Sequence, residues 1–209
     1  SFSCGKEAVG AYLLVRPHFR KIELLYLELV PGLSFVEEAL AYYEKAFGQR
    51  IARHPHPSLY RWINNGLYQT PERFEAIDKL AFPDFDYDEC FGWHREDIGW
   101  PPSAFVGTGV RAADSLNRRT SIKTHGPINH QRRSFFPIFD WSKGRLLQEI
   151  KGAGLKLSPE YRLFGRSFDG IDYRFIAPIR DHRPADYALF KEWFPLLDAE
   201  LYRYERRAD

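Results

Sequence analysis

The chain has 209 residues, 44% of them hydrophobic and 28% charged, with a formal net charge of +2. That is ordinary composition for a soluble domain. There is no apolar run of membrane-spanning length and no signal-peptide pattern, so a cytoplasmic protein that touches no membrane is the expectation. Near-neutral charge does not by itself mark a nucleic-acid binder, and two cysteines, Cys4 and Cys90, can neither frame a disulfide scaffold nor ligate an iron–sulfur cluster within one chain.

Residues 5–15 read as a helix starting at Gly5, with Val9, Tyr12, Leu13 and Leu14 on one buried face and Pro17 as its stop. Ile22 to Val30 is a nearly continuous apolar run and reads as a parallel strand buried on both faces. Pro31-Gly32 breaks it. Ser34 then opens a helix with a capping box to Glu37, and Val36, Leu40, Tyr43 and Phe47 follow at helical spacing up to Gly48. Gln49 to Arg53 reads as the next strand. The stretch from Pro57 to Trp100 is irregular, with one helix over Pro71–Leu80 and an acidic, aromatic loop over Phe82–Glu89. Ser103 to Val110 reads as a buried strand, Arg118 to Arg133 as an exposed basic loop, and Phe135 to Trp141 as extended chain. A short helix holds Leu146 to Ile150, Tyr161 to Tyr173 is loop, and Asp186 to Tyr204 is a C-terminal helical region interrupted at Pro195. Aromatic residues are abundant, and since most fall inside hydrophobic patterns a bulky core is preferred to base-stacking surfaces.

This order predicts an α/β fold. The chain opens at Ser1 and contains no Met. Only Ser1 to Ser3 stand for the strand expected before the first helix, so residues ahead of Ser1 are expected.

Two motifs carry the chemistry. Ser3-Cys4-Gly5-Lys6-Glu7-Ala8 sits where a turn enters a helix, a place where backbone N–H groups converge on phosphate oxygens. Gly109-Val110-Arg111-Ala112-Ala113-Asp114-Ser115, followed by Arg118, sits at the carboxyl end of a predicted strand, where open α/β sheets bind ligands. The pair resembles the phosphate loop (Ser-Gly-Gly-x-Asp-Ser) and the arginine signature (Gly-x-Arg-x-x-Glu/Asp-Ser-x-x-Arg) of the PP-loop, adenine nucleotide alpha-hydrolase superfamily. Within it, the chain is most similar to the phosphoadenosine phosphosulfate (PAPS) reductase-like family, in particular its phage and prophage members. Cys4, Glu7 and Ala8 depart from the loop pattern.

The resemblance implies a doubly wound, mostly parallel five-stranded sheet with helices on both faces. It implies one domain over 1–209, with a nucleotide-binding core at 1–140 and a helical or loop extension at 141–209. It implies ATP or PAPS as ligand. Ser1, Ser3, Cys4, Gly5, Lys6, Gly109, Arg111, Ser115 and Arg118 would contact the nucleotide. Lys6, Glu7, Arg111 and Asp114 would be catalytic, and Glu7 would assist Mg²⁺. The preferred reaction is ATP cleavage between the α and β phosphates to activate an acceptor, with nucleic-acid sulfur modification as one setting and a partner protein supplying the sulfur. Two alternatives stand. One is a sulfonucleotide reductase, against which the lack of a cysteine after Gly170 or near the C-terminus speaks. The other is a nucleotide-binding partner protein with a degenerate loop.

Other features receive plainer readings. Cys4 is a small residue replacing Gly rather than an activated thiol. Glu37, where the family has a loop beside the nucleotide, is read first as a capping residue. His54 and His56 belong to an ordered loop rather than a metal site. Asp140 is read as a helix N-cap. The basic stretch Arg118–Arg133 is read first as a solvated loop, with a phosphate-backbone contact to DNA or RNA as the sharper alternative.

Overall fold

The computed structural model describes residues 1–206. In chain order its elements are α1 (Lys6–Val15), β1 (Leu24–Glu28), α2 (Ser34–Phe47), β2 (Ile51–Pro55), α3 (Pro57–Asn64), α4 (Pro71–Leu80), α5 (Tyr87–Asp97), β3 (Val106–Gly107), α6 (Leu116–His125), β4 (Ile128–Asn129) and β5 (Ser134–Phe135), and then α7 (Lys143–Gly152), α8 (Glu160–Phe164), α9 (Tyr173–His182), α10 (Pro184–Trp193) and α11 (Asp198–Glu205). The chain is therefore mixed α/β and predominantly helical. No helix among the described residues is long and apolar enough to cross a membrane.

The expected five-stranded sheet is not what the strand ladders form. They form two small sheets, β1–β2 and β3–β5–β4. β3 runs parallel to β5, pairing Val106 with Ser134, and β4 is antiparallel to β5. The strand predicted over 103–110 pairs only at Val106 and Gly107, and the extended stretch over 135–141 only at Phe135. Pro137 has no N–H to give a ladder, and beyond Phe135 the backbone closes into turns, Phe139 N to Phe136 O and Trp141 N to Ile138 O.

Two compact units share the chain. The first comprises Ser1–Leu27, Leu40–His54 and Tyr87–Ser158, the second Glu28–Ala39, Pro55–Asp86 and the chain from Pro159 onward. The first unit has an aromatic core. Phe2 meets Tyr43 and Phe47 edge-on at centroid distances of 5.3 and 5.6 Å, a favoured arrangement for ring quadrupoles. Helix α1 packs on α7, where Gly10 leaves room for Leu146. In the second unit Phe35, Phe164, Phe168, Phe175 and Phe190 form a second edge-to-face cluster. Part of the aromatic content thus packs in two cores, while Phe74, Trp93, Phe105 and Tyr202 among others stay exposed.

Several expectations need correction. The first half of the loop expected over Arg118–Arg133 is instead helix α6, started by Ser115, whose Oγ accepts from Arg118 N at 3.2 Å, and stopped at Gly126 in the left-handed half of φ space. A single buried residue, Ile122, gave that helix no apolar period to read. Ser34 is not an N-cap but the first residue of α2, because Val36 N and Glu37 N bond to Leu33 O. The buried Asp186 takes the capping role in the second unit, accepting from Ser34 N at 2.8 Å and Ser34 Oγ at 2.7 Å. Ser142, not Asp140, caps α7, accepting from Arg145 N at 3.1 Å. Helix α8 arises inside the loop expected over 161–173, α5 begins inside the loop expected over 82–89, and α3 forms in the stretch expected to be irregular; α9, which contains Pro178, starts at the end of the expected 161–173 loop. The chain end at 207–209, part of the cysteine-free C-terminus noted above, lies outside the described residues.

Candidate functional site

The head of α1, in the first unit, gathers the two sequence motifs. Phe2 N donates to Leu25 O at 2.7 Å and the Ser1 nitrogen to Gly107 O at 2.8 Å, which fixes the approach to the loop between β1 and β3. Cys4 then turns the chain with φ at 57°, in the left-handed region that favours glycine, and its side chain is fully buried. Gly5 is the N-cap of α1 and has no side chain to cap it. Helix starts leave their first N–H groups without intrahelical partners and carry the positive end of the helix dipole, so this one suits an anion.

Gly109 brings the second motif against the first. A Cβ at Gly109 would lie 2.6 Å from the Glu7 carbonyl carbon and 2.8 Å from Glu7 O, contacts that no side-chain rotation relieves. The absence of a side chain there lets the two backbones touch, and Arg111 follows two residues later.

Arg111 is the hub. It is only 5% exposed. Its Nη2 donates to Asp114 Oδ1 at 2.6 Å and to Glu7 Oε1 at 3.3 Å, and its Nη1 donates to Trp141 O at 3.2 Å. Lys6 Nζ lies 2.8 Å from the same Glu7 oxygen. Asp114 also accepts from Arg118 Nη1 at 3.1 Å and from the Arg111 backbone N–H at 3.2 Å. Three cations and two carboxylates therefore alternate across residues more than a hundred positions apart in sequence. Arg111 Nε is buried without a hydrogen-bond partner, and so is Thr108 Oγ1. A buried guanidinium N–H left unpaired is costly.

The remaining predicted residues fall around this hub. Ser1 and Ser3 are exposed, Gly5 is buried, and Ser115 serves α6 as its N-cap. Arg119, Lys123 and His125 lie exposed on or at the end of α6, and His130, Arg132 and Arg133 follow on the β4–β5 hairpin, Arg132 paired with Asp88. Both cysteines are buried and neither forms a disulfide.

No family model matches the chain, and no curated protein matches it at a significant level.

His54 and His56 are not brought together on one ion. His54 Nε2 faces His94 Nδ1 at 3.3 Å and Asp97 Oδ2 at 3.5 Å, in the first unit. Burial and the neighbouring His54 hold His94 below the usual histidine range. His56, in the second unit, caps α3 by accepting from Ser58 N at 3.0 Å, and burial, with Arg61 nearby, pushes it down to about 4. Among the described residues no group of three or more His, Cys, Asp or Glu is placed to hold a metal ion. In the second unit Glu38 pairs with Arg183 at 2.6 Å, which lowers the Glu38 carboxyl. The Trp141 carbonyl, the buried Thr108 hydroxyl and the His54–His94 pair escaped the sequence reading, since their roles depend on what lies across from them and no local pattern marks that.

Proposed function

We propose that this chain binds an adenine nucleotide as PP-loop, PAPS reductase-like proteins do, and that it cleaves ATP between the α and β phosphates to activate an acceptor. The observation that carries this is Arg111, buried with an unpaired Nε beside Lys6 and Glu7 at the uncapped head of α1. The doubly wound arrangement belongs to the same proposal, with Ser1–Phe2 hydrogen-bonded to β1 on one side and β3 on the other.

In this reading the N–H groups at the start of α1, with Ser3, Gly5 and Lys6, hold phosphate oxygens. Arg111 offsets the charge that develops as the acceptor attacks the α phosphorus. A bond forms from the acceptor to the α phosphorus, the bond from that phosphorus to the bridging oxygen breaks, pyrophosphate leaves with the electron pair, and the acceptor's proton passes to solvent. Asp114 positions Arg111 between itself and Arg118. The residues present do not build a resident magnesium site, since Glu7 already faces Lys6 and Arg111. A divalent ion would enter as part of the metal–nucleotide substrate, and Glu7 would meet it only by releasing Lys6 or Arg111. A nucleic-acid acceptor is favoured by the exposed basic residues of α6 and the hairpin after it.

One observation favours a second reading, a nucleotide-binding partner protein without turnover: the Glu7 carboxylate already engages both Lys6 and Arg111. Sulfonucleotide reduction is disfavoured because neither buried cysteine presents a thiol at the surface.

Calorimetry against ATP·Mg²⁺ and PAPS, followed by a pyrophosphate-release assay, tests the proposal. ATP binding with release supports it, and ATP binding without release selects the partner protein. Preference for PAPS, with sulfite release, selects the reductase. Binding of neither removes the nucleotide site.

A further inference from the structure

Glu7 is a carboxylate among groups that suit phosphate. It is the second residue of α1, so its charge lies at the positive end of the helix dipole. Its Oε1 lies 2.8 Å from Lys6 Nζ and 3.3 Å from Arg111 Nη2. One oxygen thus meets two cations at a helix start, the same partners that an incoming anionic oxygen would use. The Lys6 side chain is 19% exposed and that of Arg111 5%, so these pairs are screened by salt much less than pairs on the open surface.

The contact can open without disturbing the rest of the hub. Gly109 packs against the Glu7 backbone and Cβ, which fixes where the side chain starts. The Glu7 side chain is 23% exposed, and rotation about the bonds beyond Cβ gives its carboxylate a path to water. Arg111 keeps an anchor when Glu7 leaves, because Asp114 Oδ1 accepts from its Nη2 at 2.6 Å and the Trp141 carbonyl from its Nη1 at 3.2 Å. Lys6 and Arg111 are then both offered to a ligand.

We propose that Glu7 is an internal competitor for the anion site. Its carboxylate takes the place of a ligand oxygen in the ligand-free protein, and a phosphate group that binds there first displaces it from Lys6 and Arg111. This rests on the reading of the α1 head as a phosphate site. The displacement lowers the affinity of every anion by the same factor. Free phosphate and sulfate offer charge alone and are held off, whereas a nucleotide adds contacts through its base and sugar and still fills the site.

Glu7→Gln and Glu7→Ser test this, titrated beside wild type with inorganic pyrophosphate by calorimetry in metal-free buffer, with folding checked by circular dichroism. Both variants are expected to bind pyrophosphate at least about tenfold more tightly than wild type, the effect of one charge-assisted contact. Pyrophosphate is also expected to raise their Tm more than that of wild type. A Glu7 that only supports the fold gives a lower Tm with no gain in binding. Wild type supplies a reading that no substitution can disturb: saturating pyrophosphate should speed carbodiimide labelling of the Glu7 carboxylate, followed by mass spectrometry. Unchanged or weaker pyrophosphate binding in the variants overturns the proposal, and so does unchanged labelling. A parallel titration with ATP·Mg²⁺ separates the two readings. Wild type that binds ATP, beside variants that gain nothing for pyrophosphate, overturns the competitor and leaves the nucleotide site. Variants that gain for pyrophosphate while no form binds ATP leave the competitor and remove the nucleotide. Binding of neither ligand by any form removes both.

Discussion

Arg111 concentrates the chemistry of the first unit, because one guanidinium satisfies two carboxylates and a carbonyl and still has a donor to spare. Arg111→Lys keeps the charge but loses the planar fork. It is expected to weaken ATP binding at least about tenfold, as for loss of one charge-assisted hydrogen bond, read by calorimetry on protein shown to be folded by circular dichroism. Gly109→Ala tests the close approach that brings Arg111 there. Its Cβ meets Glu7 backbone at 2.6 Å, so it is expected to cost about 1–3 kcal/mol in a urea melt, as overpacking does, and to weaken nucleotide binding together with Arg111→Lys. Cys4 separates backbone from side chain. Its φ of 57° is cheap for glycine and costly for a β-branched residue. Cys4→Gly should therefore stay within about 1 kcal/mol of wild type, relief of strain offsetting lost packing, whereas Cys4→Val should lose about 2 kcal/mol or more. Equal losses in the two variants would show that burial, not φ, governs that position.

At the scale of elements, α1, α2 and α4 were legible within a residue or two because each has a local stop or start: Gly5 before α1, Gly48 after α2, and Thr70-Pro71 at the entry to α4. Helices α3, α5, α6 and α9 were not, since their sequences mix polar residues, Pro and aromatics without a clean period. Their N-caps (His56, Ser115 and Asp172 among them) precede no apolar period that would mark them. The misread capping box of α2 has the same origin: Ser34 resembles a cap in sequence, yet its partner is Asp186, 152 residues away. Asp186→Ala should cost about 1–3 kcal/mol, because it strips the acceptor from a helix-start N–H and a hydroxyl. Thermal melts check this, and a change under about 0.5 kcal/mol would mean that solvent caps the helix equally well.

For the molecule as a whole, two histidines, the half-buried His56 and the buried His94, tie stability to acidity. His56 has its folded value at about 4 against an ordinary 6.5. Between those values the unfolded chain takes up a proton that the folded chain refuses, so stability is intact above about pH 6.5 and falls as the pH drops towards 4. The loss reaches at most roughly 3 kcal/mol for His56, and His94, lowered by burial and by His54, acts in the same direction. His56→Asn keeps a capping acceptor without the titration, so its Tm should fall less than that of wild type between pH 7 and 4.5; parallel curves would remove His56 from the acid limb. By itself the sequence determined the mixed α/β class, the helix that follows the Cys4–Gly5 turn, and the two motifs whose residues meet at Arg111, because turn, cap and strand-end signals act over a few residues. Tertiary structure alone decided that Asp186 caps α2, that Glu7 shares its oxygen between Lys6 and Arg111, and that the strands pair as two small sheets. Those outcomes depend on which distant backbone comes within hydrogen-bonding distance, and no local pattern in the chain encodes that.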